Sequence, residues 1–170
     1  MKTIPVSDLS TYTQTATSLN DLTDVLTEDN SLYVGNNPSS TTSTAEYNVA
    51  VGTTALDAIT TGDKNTAVGY NALTENTTGE DNTAVGFRAL PVNTTGTKNT
   101  AMGMYTLYSN TTGAWNAAVG YQALYNNTTG YSNTAIGPSA LRILTTGRWN
   151  TALGYDCLLY TSDAADEVDS

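Results

Sequence analysis

The sequence predicts an all-β fold, a parallel β-solenoid or β-roll, built from seven coils of 17 residues each. Between residues 48 and 156 the chain repeats itself every 17 residues without an insertion or a deletion. A strict short period is typical of one supersecondary unit stacked on itself, with each copy touching chiefly its neighbours. We therefore expect an elongated rod with columns of like residues along its sides.

The repeat positions are numbered from the Asn that opens each copy. Position 3 is Ala, position 5 is Gly and position 9 is Leu in every copy. Position 4 is a single apolar residue, most often Val, and positions 13 to 15 read Thr-Thr-Gly in six copies. The columns expected to support the stack include Asn65, Asn82, Asn99, Asn116 and Asn133; Gly69, Gly86, Gly103, Gly120 and Gly137; and Leu73, Leu90, Leu107, Leu124 and Leu141.

The two glycines of each copy divide the coil into short segments. Each glycine takes positive φ at little cost, and segments of about five to seven residues are normal for strands but too short for stable helices. Parallel coils stack at roughly 4.8 Å, so seven copies predict a rod about 30 to 35 Å long.

Period-2 alternation in each strand separates two faces. Positions 2, 4 and 6 share one face and positions 1, 3 and 5 share the other, so that Val68 lies opposite Ala67 and Gly69. One coil has few apolar side chains to offset the entropy of ordering 17 residues, with Val and Leu as its main core side chains. We therefore expect the small Ala/Gly face to pack against another copy of the chain.

Two runs of the sequence carry a family resemblance. Residues 65–73 read Asn-Thr-Ala-Val-Gly-Tyr-Asn-Ala-Leu, and residues 116–124 read Asn-Ala-Ala-Val-Gly-Tyr-Gln-Ala-Leu. They resemble the Asn-Ser-Val-Ala-Ile-Gly repeats in the heads of trimeric autotransporter adhesins, which are trimeric left-handed parallel β-rolls. A closer resemblance is to the 17-residue repeat of tail-fibre and other structural proteins of marine bacteriophages, including those of cyanobacteria, and it covers about two thirds of the chain.

The resemblance implies a homotrimeric structural fibre in a virion, acting as a rigid spacer and in attachment to a host cell-surface glycan or protein. The alternative is a head fragment of an adhesin on a bacterial cell surface. An adhesin of that type needs an export signal and a membrane anchor, and the sequence shows neither a signal peptide nor an apolar run of about 18 residues. We therefore favour the virion and expect no membrane insertion.

The segments outside the repeats differ from them in composition. Residues 1–47 are rich in Ser and Thr and are expected to form an N-terminal cap or a trimerising adaptor, because a solenoid needs an end that stops edge-to-edge growth. Residues 22–40 resemble the piece that often precedes such arrays. Residues 157–166 resemble the translation of a transposase adapter used in sequencing libraries, so we expect residues 157–170 to be an adapter-derived or disordered tail.

Charge and composition exclude several functions. A net charge of −10 argues against nucleic-acid binding, which needs clustered Lys and Arg. With no His and one Cys, the chain lacks the usual nucleophile and base pair and the softer metal ligands. Glu75, Glu80 and Asp81 fall at turn positions and are expected to be solvated. We therefore expect no catalysis, no metal and no cofactor.

Aromatic side chains at repeated positions suggest two interpretations. They pack along the column or between subunits, or they stack on a glycan. The glycan candidates are Tyr70, Tyr108, Trp115, Tyr121, Tyr125 and Trp149.

Two features of the Thr-Thr-Gly turn have competing interpretations. Four Asn-Thr-Thr triplets, opened by Asn76, Asn93, Asn110 and Asn127, match the glycosylation pattern but are expected to be turns in which Asn tolerates αL geometry. Regular Thr residues also raise the possibility of an ice-binding solenoid. Adjacent Thr residues point to opposite sides of an extended chain, which leaves one outward column where such faces usually show two.

Overall fold

The computed structural model describes residues 25–28, 30–35 and 44–158, and the structural statements below refer to these ranges. Within them the chain forms nine β-strands and no helix. The expected all-β parallel solenoid of about seven coils is confirmed. The strands are β1 Val25–Glu28, β2 Ser31–Val34, β3 Val49–Val51, β4 Thr66–Val68, β5 Thr83–Val85, β6 Thr100–Met102, β7 Ala117–Val119, β8 Thr134–Ile136 and β9 Thr151–Leu153.

The strands form one sheet in chain order, and every neighbouring pair from β2 to β9 is parallel. Each residue pairs with the residue one period later, as Ala67 does with Ala84. The 17-residue register begins before Asn48, because Ser31 accepts a hydrogen bond from the Asn48 N–H through its hydroxyl at 2.9 Å. Strand β1 pairs with β2 antiparallel, so it covers the N-terminal edge of the stack.

Parts of the two terminal segments lie outside the described residues. These are residues 1–24, 29 and 36–43 of the N-terminal segment and residues 159–170 of the tail. The first two tail residues continue the coil: the Leu141 N–H donates to the Cys157 carbonyl at 3.0 Å, and Leu158 has the positive φ of the other position-9 leucines.

The core lies inside the coil and is narrow. Ala at position 3 is buried in every coil, Leu at position 9 is buried in all coils except the last, where Leu158 is exposed, and most residues at position 8 are buried. Position 8 is Ala in most coils and Thr106 in one, where the hydroxyl donates to the Gly120 carbonyl at 2.8 Å. The predicted leucine column is confirmed by the buried Leu73, Leu90, Leu107, Leu124 and Leu141.

The predicted use of the two strand faces is wrong. The Ala face does not meet another chain, because Ala67 and its counterparts are fully buried inside the coil. The Val column, expected in the core, lies on the outside, and Val68 is 36% exposed. The smaller face turns inward because the coil interior also holds the buried leucines of position 9, which leaves room for Ala at the strand but not for Val.

The asparagines of position 1 form a buried column, and the central ones satisfy every hydrogen-bonding group of their side chains. Asn82 donates through Nδ2 to Asn65 Oδ1 at 3.2 Å and to the Gly96 carbonyl at 2.8 Å. Its Oδ1 accepts from both the N–H and the Nδ2 of Asn99, at 3.0 and 3.2 Å. Both donors and both lone pairs are therefore used, so the amide is buried without an unmet hydrogen bond.

A second buried asparagine column runs through position 12. Asn93 donates through Nδ2 to Asn76 Oδ1 at 2.8 Å and to the Gly96 carbonyl at 2.9 Å. The Gly96 carbonyl therefore accepts from both columns and joins them. The column ends where an apolar residue replaces Asn, and Asn127 Oδ1 has no partner where the next coil supplies Leu144.

The two glycines of a coil serve different purposes. At position 5 the expected positive φ is confirmed, with values between 122° and 138°. At position 15 the expectation is wrong, because these glycines have no positive φ. They are required for space: a Cβ on Gly113 would lie 2.5 Å from the Gly130 carbonyl oxygen and would also collide with Asn110 Oδ1.

Positions 7, 9 and 17 hold non-glycine residues at positive φ. Each such residue costs roughly 1 to 2 kcal/mol. The position-9 leucines have φ between 50° and 57°. Their N–H groups point along the solenoid axis, and the Leu73 N–H donates to the Ala89 carbonyl of the next coil at 3.1 Å. Bonds between coils offset the local strain, so the αL residues are stable only within the stack.

Candidate functional site

The outer surface of the sheet is a regular feature that the core does not use. We call it the sheet face and define it by positions 2, 4 and 6 of each coil. Position 4 is the apolar column, with Met102 at 45% and Ile136 at 43% exposure. The column comprises Val51, Val68, Val85, Met102, Val119, Ile136 and Leu153.

The sheet face carries no charged residue between Leu32 and Tyr155 in the described coils. Position 2 is mostly Thr, and position 6 includes Tyr70, Phe87 and Tyr121. Large contiguous apolar patches are rare on the surfaces of monomeric proteins and mark interaction sites. The sheet face therefore has the composition of a surface that meets another protein surface.

An aromatic cluster lies along one border of the sheet face. It brings together four of the predicted glycan candidates, namely Tyr70, Tyr108, Tyr121 and Tyr125. Tyr105, at position 7, contacts four of its rings and was missed by the sequence prediction. The sequence did contain a signal for Tyr105, because it follows position 6, which is aromatic in most coils, and precedes Tyr108 by three residues. The full cluster is Tyr70, Phe87, Tyr105, Tyr108, Tyr121 and Tyr125.

Two pairs of rings in this cluster stack face to face, and the other ring contacts are edge to face. Tyr108 and Tyr125 stack with centroids 4.9 Å apart and planes 4° apart, and Tyr70 stacks on Phe87 at 5.3 Å. The Arg142 guanidinium lies 5.9 Å from the Tyr125 centroid. Each stacked ring has one face against another aromatic ring, and this arrangement favours packing along the column over glycan stacking.

The two tryptophans lie apart from this cluster, at position 17. Trp115 is 59% exposed and Trp149 is 69% exposed. The Lys98 ammonium lies 4.2 Å from the Trp115 ring centroid, and the Arg148 guanidinium lies 4.8 Å from that of Trp149. Arg148 also donates to the Tyr131 hydroxyl at 3.0 Å, and Tyr131 meets Trp149 edge to face. The surroundings of the tryptophans are therefore aromatic and basic.

Charge is divided along the axis. Residues 44–81 contain six acidic side chains and the single base Lys64. Residues 82–158 contain four bases and the single acid Asp156. Glu75, Glu80 and Asp81 are exposed, as expected for turn positions. One end of the described stack is therefore acidic and the other basic, although the whole chain is strongly acidic.

The Asn-Thr-Thr triplets do not present their asparagines to solvent. Asn76, Asn93, Asn110 and Asn127 are fully buried and belong to the position-12 column. Their expected αL geometry is wrong, because their φ values are not positive. A buried amide cannot accept a glycan, so the match to the glycosylation pattern is accidental.

The paired threonines alternate as expected. Thr77 is half-buried and donates through its hydroxyl to the Thr94 carbonyl at 3.0 Å, whereas Thr78 is exposed. The turn therefore presents one exposed Thr column, at position 14.

The side chains do not assemble a chemical centre in the part of the chain that the structure covers. No group of three or more His, Cys, Asp or Glu residues is placed there to hold a metal ion. The same residues include no helix with the length and hydropathy of a membrane span. A comparison with protein-family models, curated proteins and solved structures gives no match to this chain.

Proposed function

We propose that this chain is a structural segment of a viral tail fibre or a similar virion appendage, in which three identical chains form a rigid spacer. The proposal combines the uninterrupted stack with the resemblance of its repeats to phage tail-fibre repeats. The same rod would suit the head of a bacterial surface adhesin, which stays the alternative identity and location.

Stiffness is supported by bonding along the axis. Backbone hydrogen bonds join neighbouring coils at the strands and at the turns, as in Thr66 N–H to Asn82 carbonyl at 2.8 Å and Thr77 N–H to Thr94 carbonyl at 3.0 Å. Two asparagine columns run parallel to them inside the coil. Bending the rod would break several of these bonds at one coil boundary, so the stack resists bending.

The observation that carries the trimer proposal is the uncharged, exposed sheet face. Eight parallel strands at about 4.8 Å spacing give a face roughly 35 Å long, and the five residues from position 2 to position 6 make it about 16 Å wide. This planar area, roughly 500 to 600 Å², approaches the 800 Å² or so that each partner contributes to a standard interface. The proposed contact is therefore the sheet face, in place of the Ala face.

A pair of glutamate substitutions tests this contact. Val119 lies in the apolar column of the sheet face, whereas Thr112 lies in the exposed Thr column of the turn. Val119→Glu should dissociate the assembly into single chains, because it places three like charges in a desolvated contact. Thr112→Glu adds the same charge and should leave the assembly unchanged.

The measurement is sedimentation equilibrium, with far-UV circular dichroism to establish that both variants keep the β-fold. If the unmodified chain assembles and Val119→Glu assembles to the same mass, the sheet face is not the contact. Single chains in the unmodified protein would reject the trimer itself.

A further inference from the structure

We propose that Trp115 and Trp149 form a binding site for an extended, negatively charged polysaccharide that lies along the solenoid axis. The proposal deepens the host-attachment part of the proposed function and rests on it. The proposal places the glycan contact at the two tryptophans instead of at the aromatic cluster.

The spacing of the two tryptophans is the first argument. Both occupy position 17, with nearly equal φ values of 61° and 57°, so their side chains leave equivalent backbone sites two coils apart. Two coil heights are about 10 Å. This is close to the length of one disaccharide unit in an extended β-linked polysaccharide, so alternate sugars of one chain can reach both rings.

The space between the rings is the second argument. The intervening coil has Ser132 at position 17, which is small and leaves room between Trp115 and Trp149. Lys98 lies over the Trp115 ring from the preceding coil and Arg148 lies over the Trp149 ring, so each indole has a cation on one face. Unlike the stacked tyrosines, the two indoles are separated by a full coil and more than half exposed, so neither uses the other as a stacking partner.

Charge identifies the class of glycan. Lys98 and Arg148 lie within 5 Å of the indole centroids, and the last four coil boundaries carry no acid at positions 16 and 17. The first three boundaries carry four acids at these positions, namely Glu46, Asp63, Glu80 and Asp81. A uronate or sulfated chain is therefore attracted to the tryptophan end and repelled from the opposite end.

The experiment uses tryptophan fluorescence, because Trp115 and Trp149 are the only tryptophans in the sequence. The full chain is titrated with β-linked oligomannuronate and, separately, with a cello-oligosaccharide of the same length, which has similar linkages without carboxylates. Oligomannuronate should change the emission saturably, with an affinity that falls as salt is raised, and the neutral oligomer should bind much more weakly.

Matched variants locate the site. Trp115→Phe and Trp149→Phe leave one reporter each, and calorimetric titration of Trp115→Ala and Trp149→Ala should each weaken Kd about three- to tenfold. Tyr47→Ala is the control, because Tyr47 occupies position 17 at the acidic end with 55% exposure, and its loss should leave Kd unchanged. Lys98→Gln should weaken oligomannuronate binding about two- to fivefold at low salt.

Three binding results would each overturn the proposal: no response to oligomannuronate at millimolar concentration, equal binding of the neutral oligomer, or an equal loss in Tyr47→Ala. A change in assembly mass on Trp115→Ala would instead place the tryptophans in a contact between chains, and this result would also overturn the proposal. Mass is measured on the same samples, so loss of the trimer and loss of glycan binding are separate outcomes.

Discussion

The inside and the outside of the coil follow different rules, although both repeat every 17 residues. Inside, positions 1, 3 and 9 keep the same residue in all seven copies, because each side chain there meets its own counterpart one coil away. Outside, position 17 ranges over Tyr, Lys, Asp, Trp and Ser, and position 6 ranges over Thr, aromatic residues, Met and Pro. The interior therefore fixes the stack, whereas the exterior positions are free to vary from coil to coil.

The largest expected effect is at an interior glycine without positive φ. Gly113→Ala places a Cβ against the Gly130 carbonyl and against Asn110 Oδ1. We expect a loss of about 3 kcal/mol or more in the free energy of unfolding, because backbone must move to admit the methyl group.

Gly154→Ala is the matched control for this substitution. Gly154 has φ +122°, but no atom lies within 4 Å of its added Cβ. We expect a loss of only about 1 to 2 kcal/mol, from backbone strain alone. Chemical denaturation of both variants is the check, and a larger loss at Gly154 would show that space along the axis does not limit the stack.

The next prediction compares the same substitution at two buried asparagines of the position-12 column. The position-12 column ends at Asn127, whose Oδ1 is unpaired because the next coil supplies Leu144. Asn127→Leu moves this end by one coil: the unpaired Oδ1 of Asn127 is lost, and Asn110 Oδ1 loses its donor instead. Asn110→Leu splits the column and leaves an additional orphaned oxygen on Asn93.

We expect Asn110→Leu to cost about 1 to 3 kcal/mol more than Asn127→Leu in the free energy of unfolding. Thermal and urea unfolding of the two proteins provide the comparison. Equal losses would mean that continuity of the asparagine column contributes nothing to stability.

The smallest expected effect concerns αL strain on the outer part of the coil. Gln122 has φ 56° at position 7, where Asn71 occupies the equivalent place in an earlier coil. Because Asn adopts αL geometry more readily than Gln, Gln122→Asn should stabilise the chain by up to about 1 kcal/mol. A lower melting temperature would show that the Gln122 side chain contributes more to packing than its backbone costs.

The fold class and the leucine column could be predicted because period and apolar identity determine them directly. The direction of the strand faces could not, since alternation separates Val68 from Ala67 without stating which one points inward. Leu73 and its counterparts adopt a φ that leucine rarely takes, and bonds from the next coil stabilise it. Position-15 glycines looked like turn residues, but only the stacked neighbours reveal the need for space.

The outer sites were predictable only in part. Aromatic residues at fixed positions identified Tyr70, Tyr108, Tyr121 and Tyr125, which the structure brings together. Their stacking on one another could not be inferred, because it depends on rotamers within the column. The pairing of cations with Trp115 and Trp149 likewise depends on contacts between neighbouring side chains, which sequence spacing alone does not fix.

We infer that inward columns hold each chain together, and we propose that the outward sheet face joins several chains. Light scattering coupled to size-exclusion chromatography tests it most directly on the unmodified protein. We expect a single species with three times the 17.9 kDa mass of the chain, and circular dichroism of a β-protein. A folded species with the mass of one chain would contradict it.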